Sequence, residues 1–319
     1  MPVNCLRETV RVKVNINHWK MHTRFALYAF FMLLIVLLSI SCASVSPVPA
    51  NPEQLNTFAS IENIEPFWLP HTNGINFFHG KITSPRLEFW ALQIDLSAPE
   101  IEIVINNNAY STKVSSFVRD NNLIAGINAL PFDISTSREG LPIKNIGIVI
   151  SGGEIFSPAN PNYDALVFYK GEGRAAIIRQ PLIRTAGNIE NAAGGFHQIL
   201  TGGTPAQRTL SSESASTPVS ATRHPRSAAG LSANGRFLYL LVIDGRRNGS
   251  AGATEYETAL LLRFLGSHDG INLDGGGSSV LVMRYPDNSI KVKNTPIHGG
   301  IPGRERAVAG SIGIRLGNP

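Results

Sequence analysis

Short segments of alternating or continuous apolar residues recur along most of the chain. Arg86–Leu96 (RLEFWALQIDL) and Glu100–Asn106 (EIEIVIN) are the clearest, with the turn formers Ser97-Ala98-Pro99 between them. Side chains alternate faces along a strand, so these runs predict a strand pair. Further strands are predicted at Leu123–Ala129, Ile146–Ser151, Ala165–Tyr169, Ala175–Ile178, Phe237–Ile243, Val280–Arg284 and Ala307–Arg315. Ser111–Asn122 reads as a short helix with Val114, Phe117 and Val118 on one face. A second helix is punctuated at both ends. Thr254 and Glu257 form a capping box, Tyr256, Leu260 and Phe264 share a face, and Gly266 ends it. Residues 201–225 hold almost no large apolar group and predict a long loop. The pattern describes one α+β domain over residues 61–319, with a mixed β-sheet core and few helices.

Ahead of this domain the pattern changes. Phe25–Ile40 is 16 residues long, uncharged, and preceded by Lys20, His22 and Arg24. A basic flank followed by an apolar stretch is the layout of a secretory signal. Leu38-Ser39-Ile40-Ser41-Cys42 resembles a lipobox, with Leu38 one place further from the cysteine than usual. Residues 1–41 are therefore expected to be a lipoprotein-type signal peptide, Cys42 the lipidated residue, and residues 42–60 a polar, proline-containing tether. Cleavage at a neighbouring bond and retention as an uncleaved anchor are the other outcomes this run allows. An exported, membrane-anchored protein of a bacterial envelope is the expectation, with the membrane as a partner through Cys42.

Composition narrows the class. Of 319 residues, 43% are hydrophobic, which excludes global disorder, and a single long apolar run excludes a polytopic membrane protein. The net charge of +5 belongs largely to the leader, which holds five of the 28 basic residues and one of the 23 acidic ones. Residues 42–319 carry 23 basic against 22 acidic residues, so nucleic acid is not expected as a partner. The two cysteines, Cys5 and Cys42, are removed or lipidated in this scheme, leaving no disulfide, thiol nucleophile or cysteine metal site.

The most informative stretch is Asn272-Leu273-Asp274-Gly275-Gly276-Gly277-Ser278-Ser279. Consecutive glycines let backbone N–H groups converge on an anion, Ser278 and Ser279 add hydroxyls, and Asp274 adds a carboxylate. The same string also suits a tight bend in a sheet. Neither a Walker loop nor a nucleophile elbow fits it. Asp244-Gly245-Arg246-Arg247 comes after a strand, as site loops do and as plain surface turns do. Arg226 precedes small residues, where a guanidinium can reach a phosphate or simply face water. Glu257 has the capping box as its alternative role. His197, His224 and His298 lack paired metal spacing and read as structural or solvent-exposed.

Taken together, these segments resemble the phosphodiester glycosidase family. The resemblance is densest over residues 226–316: the strand entering Asp244-Gly245-Arg246, the helix at 252–266, INLDGGGSSVLV at 271–282, Asn294-Thr295-Pro296 and Glu305-Arg306-x-Val308. Ile127-Asn128 and Phe132-Asp133 stand in the place of a family asparagine–glycine–phenylalanine segment, with Ala129-Leu130-Pro131 replacing the glycines. The resemblance implies hydrolysis of a sugar–O–phosphate diester at the anomeric carbon. For that chemistry Gly275, Gly276, Gly277, Ser278 and Ser279 are expected on the phosphate, with Arg226, Arg246 and Arg306 as candidate clamps. Asn272 and Asn128 join the substrate-binding set. Asp274, Asp244 and Glu257 are candidates for base, nucleophile or oxocarbenium stabiliser. No cofactor is expected, although those three carboxylates could together take a hard divalent cation. The competing readings are a non-catalytic envelope carbohydrate-binding lipoprotein, an ordinary glycoside hydrolase of envelope polysaccharide, and a metal-dependent phosphodiesterase.

Overall fold

The computed structural model describes residues 53–133, 138–206 and 222–317. The leader, Cys42 and the tether as far as residue 52 lie outside them. The fold is α+β, as the pattern predicts, but the strands form three sheets among the described residues rather than one.

The first sheet holds β1 (Glu53–Leu55), β2 (Leu69–Thr72), β3 (Ile75–Ile82), β4 (Leu87–Asp95), β12 (Gln198–Thr201), β13 (Thr204–Pro205), β14 (Arg226–Leu231), β15 (Phe237–Ile243) and β16 (Asp269–Asn272). β1 pairs parallel with β3 and the rest pair antiparallel, so the sheet is mixed. The second holds β7 (Val149–Ser151), β8 (Glu154–Ser157), β9 (Asp164–Tyr169), β10 (Ala175–Arg179) and β11 (Ile189–Gly194). The third holds β5 (Ile101–Ile105), β6 (Ala125–Asn128), β17 (Leu281–Arg284), β18 (Ile290–Val292) and β19 (Ser311–Leu316).

Alternation explains the layers. Along β15, Leu238, Leu240 and Val242 enter a central core shared with Leu166 of the second sheet and Ile127, Leu281 and Ile312 of the third. Tyr239, Leu241 and Ile243 point the other way, into a core with helix α2 (Glu255–Phe264). Helix α1 (Val114–Asp120) covers the outer face of the third sheet through Val114, Phe117 and Val118, as expected. Burying both faces of β15 withdraws a near-continuous apolar run from water, at about 25 cal/mol per Å² of apolar surface.

Three expectations are corrected, and one strand that was not predicted is added. The domain begins before residue 61: Glu53–Leu55 is a strand with Leu55 buried, because it covers the edge of β3. The expected loop at 201–225 contains β13, while residues 207–221 lie outside the described ones. The stretch after Arg226 is a central strand whose small residues admit α2 at close range. A Cβ on Gly230 would lie 3.2 Å from Leu262. On α2 the deepest residues are Thr258, Ala259, Leu261 and Leu262, with the C-cap Leu265 below them, whereas Leu260 and Phe264 are buried at the margin.

Candidate active site

Three strand ends define one end of the first sheet. Arg226 opens β14 and pairs with Ile243, the last residue of β15, so Asp244 emerges beside it. β16 ends at Asn272, opposite Ala228 of β14. From there Leu273–Val280 carries the chain across to β17 in the third sheet. The triple glycine is the corner of that crossing, so both readings of the string hold: it is a bend, and the bend is where polar groups gather.

Each glycine makes room for a different neighbour. A Cβ on Gly275 would lie 2.9 Å from the Pro225 carbonyl oxygen. One on Gly276 would lie 3.4 Å from Arg246 Nη2, and one on Gly277 3.3 Å from the His298 backbone. Gly276 also has φ +64°, a conformation that disfavours any side chain. Two of these neighbours, Arg246 and His298, therefore reach the corner because the glycines have no side chains.

Asp274 is the chemical centre. Its N–H donates to Ala129 O (2.9 Å), and its carbonyl accepts from Asn128 Nδ2. Burial pushes its carboxyl up to about 6, opposed by the Ser278 hydroxyl, the Arg306 charge and the Gly275 N–H. Oδ2 has no partner. Arg306 Nη1 donates to Ser278 Oγ (3.3 Å), its guanidinium lies 5.8 Å from the centre of the Phe132 ring, and its Nε is unpartnered. Ser279 Oγ, His298 Nδ1 and Asn272 Oδ1 are also buried without a partner among the described residues. Buried polar atoms are normally bonded. Five that are not, on Asn272, Asp274, Ser279, His298 and Arg306, come from one short crossing and the loop packed on it.

The other expected site residues divide. Arg246 is exposed, with its guanidinium beside Gly276 and Nη2 3.0 Å from His224 Nδ1. Arg226 is not a free clamp: it is buried, donates to Ala253 O (3.0 Å) and Thr222 O (3.2 Å), and faces Glu255 at 3.8 Å. Asn128 is likewise buried and engaged by the protein itself. Besides holding Asp274 it accepts from Ser227 Oγ (2.7 Å) and Val280 N (3.0 Å), tying the first sheet, the third sheet and the corner together. Glu257 is used twice over. Oε2 accepts the Thr254 N–H (2.9 Å), completing the capping box, and both oxygens pair with Arg223.

Asp244 is enclosed and saturated. Its Oδ1 accepts from Asn294 Nδ2 (3.1 Å) and Thr295 N (3.0 Å), and its Oδ2 accepts from Arg247 Nε (2.7 Å). Burial pushes this carboxyl up, and the Arg247 charge with the bonds from Asn294 and Thr295 opposes that. Asn294 in turn donates to Ser279 O (3.0 Å) and accepts from Leu281 N (3.0 Å). Asp244 thus holds the serine end of the corner through Asn294. Among the described residues, no three histidines, cysteines or carboxylates are arranged to hold a metal ion, so Asp244, Glu257 and Asp274 do not converge.

Two histidines that the sequence left as structural or solvent-exposed belong here. Burial lowers the His224 pKa, with Arg226 and Arg246 adding to the effect, and burial lowers that of His298, with Arg306 and Arg304 adding to it. Each imidazole stands beside arginines and favours its neutral form. The available signal was position: His224 stands two residues before Arg226, and His298 two residues after Pro296.

The class defined by this geometry is a sheet-rich α+β protein with a glycine corner that presents one carboxylate among cations and hydroxyls. The chain belongs to the phosphodiester glycosidase family, whose model matches residues 121–315. Its fold is shared with a hypothetical protein from Synechocystis at TM-score 0.59 and 16% identity, over 80% of this chain and 64% of that one. The chain therefore spans under two thirds of that protein's length. It is also shared with the zebrafish N-acetylglucosamine-1-phosphodiester alpha-N-acetylglucosaminidase catalytic domain, auto-inhibited by its pro-peptide. The TM-score there is 0.54 and the identity 15%, over 80% of this chain and 89% of the domain. A third structure, a Burkholderia pseudomallei protein to which export is ascribed, matches at TM-score 0.54 and 15% identity, over 72% of this chain and 74% of that one. No curated protein matches the sequence.

Proposed function

We propose that this protein hydrolyses a sugar-1-phosphodiester at the bond between the anomeric carbon and oxygen, releasing the sugar and a phosphomonoester. The observation that carries this reading is the sorting of the unpartnered polar atoms at the corner. Arg306 Nε can only donate, and the Ser279 hydroxyl is a ready donor. With Arg246 beside Gly276 they suit the phosphate oxygens. Asn272 Oδ1 and ionised Asp274 Oδ2 can only accept, which suits sugar hydroxyls and the positive charge that grows at the anomeric carbon.

Among the described residues the corner offers one free carboxylate, not two, which favours a phosphodiester over an ordinary glycoside. A glycosidase acting on an alcohol leaving group needs a carboxylic acid to protonate it. A phosphomonoester, with a second pKa near ~6, leaves without that help. Of the three carboxylates expected to act, only Asp274 has a free oxygen at the corner. It is then available to stabilise the oxocarbenium-like transition state and to activate water or attack directly.

The test is turnover of a panel of sugar-1-phosphodiesters in oxygen-18 water. Label is expected at the sugar C1 hydroxyl. Label in the phosphate would mean P–O cleavage, and preference for aryl glycosides or binding without turnover would favour the other readings. We assign the N-terminal segment to export and lipid anchoring at Cys42, on the lipobox resemblance and the apolar run before it. In bacterial cells, radiolabelled palmitate is expected to enter the wild-type chain and not Cys42→Ala. Equal labelling of both would exclude Cys42.

A further inference from the structure

A cavity of about 570 Å³ opens at the other end of the first sheet. β4 pairs with β15 from Phe89, opposite Ile243, to Asp95, opposite Phe237. At ~3.3 Å per residue that run separates the cavity from the corner by roughly 20 Å. Its walls are the Ser97–Pro99 turn, the outer edge of β5, the β9–β10 hairpin and the start of β11.

The walls are held in place. Asn191 receives the Gly152 N–H on Oδ1 (3.2 Å) and donates from Nδ2 to Ile103 O (3.0 Å), joining the second sheet to the third. The β9–β10 turn meets the β4–β5 turn so closely that a Cβ on Gly173 would lie 3.0 Å from Ser97. Pairing of β11 with β9 slips between Ile189 and Asn191, a bulge that leaves Glu190 out of register and lining the cavity. Among the described residues nothing pairs with the Glu190 carboxylate.

The lining selects a ligand class. Glu102 and Arg315 neutralise each other (3.0 Å), and Arg174 pairs with Glu172 and lies 5.2 Å from the centre of the Tyr169 ring. The lining charges, Glu102, Glu190, Arg174 and Arg315, sum to zero, so a polyanion has no counterpart here. The edge of β5 is also partly taken up by the protein itself, which disfavours an added peptide strand. Gly317 N donates to Glu100 O and Asn106 N to Ser311 O, so even-numbered residues face β19 and odd ones face the cavity. Of those outward groups, Ile103 O is taken by Asn191 and Ile101 N by Ala98 O. What remains beside the paired guanidinia is the half-buried Tyr169, packed at the margin of the second sheet's core with Arg174 over its ring, together with Ile101, Ile103, a free carboxylate and serine hydroxyls. Sugars present both C–H faces and hydroxyls that donate and accept, and match such a wall.

We infer that this cavity is a second carbohydrate site, one that takes a short neutral oligosaccharide remote from the corner. It is independent of the chemistry assigned to Asp274, and its test separates the two. Calorimetric titration of the full chain with chitotetraose, cellotetraose and maltotetraose is expected to give one saturable site for at least one of them. Affinity should fall at least tenfold in Glu190→Ala and in Tyr169→Leu and stay unchanged in Asp274→Asn and Arg306→Ala. Glu190 is partly exposed, so its variant is expected to fold and to keep the test open if Tyr169→Leu does not. Failure of all three sugars to bind, loss of binding on Arg306→Ala, or unchanged binding in Glu190→Ala would each overturn the inference. So would saturable capture of extended peptides at this cavity in place of sugars.

Discussion

Asp274→Asn is expected to lose at least about a hundredfold in turnover of a sugar-1-phosphodiester and yet to be the more stable protein at neutral pH. Both effects have one cause. Burial raises the Asp274 carboxyl from 3.8 to about 6, so ionising it in the folded state costs about 3 kcal/mol more than in the unfolded chain. Proton counting gives the sign. Between pH ~4 and ~6 the folded protein holds a proton that the unfolded chain has released. Stability therefore falls as pH rises through that window and is level above it. Asparagine removes the penalty, so the variant gains up to about 3 kcal/mol at pH 7 and nothing below pH ~4. Denaturant unfolding of both proteins across this range checks the prediction. A variant no more stable at pH 7 than at pH 4, relative to wild type, would mean that the folded protein does not bury an ionised carboxylate at this position. Wild-type turnover should rise through pH ~6 as Asp274 ionises, because a protonated acid neither attacks nor stabilises positive charge.

Asp244→Ala is expected to have the largest effect on folding. The carboxylate answers Arg247, Asn294 and the Thr295 N–H in a site closed to water. Removing it leaves Arg247 with Glu88 alone, takes the acceptor from the Thr295 N–H and one of two acceptors from the Asn294 amide, a loss of about 3–5 kcal/mol. Turnover should fall as well, through Asn294 and the Ser279 carbonyl it holds. Asp244→Asn keeps the shape and separates the two effects. Its remaining activity should track the same pH profile as wild type, because the titrating group is Asp274. A displaced profile would instead place Asp244 among the reacting groups. Chemical denaturation and pH-dependent turnover of the two variants supply these measurements.

The two carboxylates show where sequence reasoning stopped. Asp244 and Asp274 each close a strand-like run and each stand before glycine, so nothing local separates them. Their difference is tertiary. Thr295 and Asn294, about fifty residues along the chain, fold onto Asp244 and saturate it, while among the described residues nothing answers Asp274 Oδ2. Arg226 and Arg246 part in the same way: one is drawn under the N-terminus of α2, the other left over Gly276.

Most strands with an apolar run were legible to within a few residues, and Phe237–Ile243 to the residue, because period-two burial is written in the side chains themselves; Ile75–Ile82 was missed, its pattern interrupted by His79-Gly80-Lys81. Arg226–Leu231 and Ile189–Gly194 were not, since strands that take their neighbours at close range use small residues and carry no apolar signature. Thr254 and Glu257 were legible as a capping box because the cap is local, and that same locality withdraws Glu257 from the site. By itself the sequence determined the α+β class, the family resemblance and the glycine corner, all of which rest on residues adjacent along the chain. Which carboxylate oxygen stays unpaired at the corner, which arginine stays exposed there and where the histidines stand were decided by the tertiary structure, because hydrogen-bond saturation depends on partners that only folding brings together.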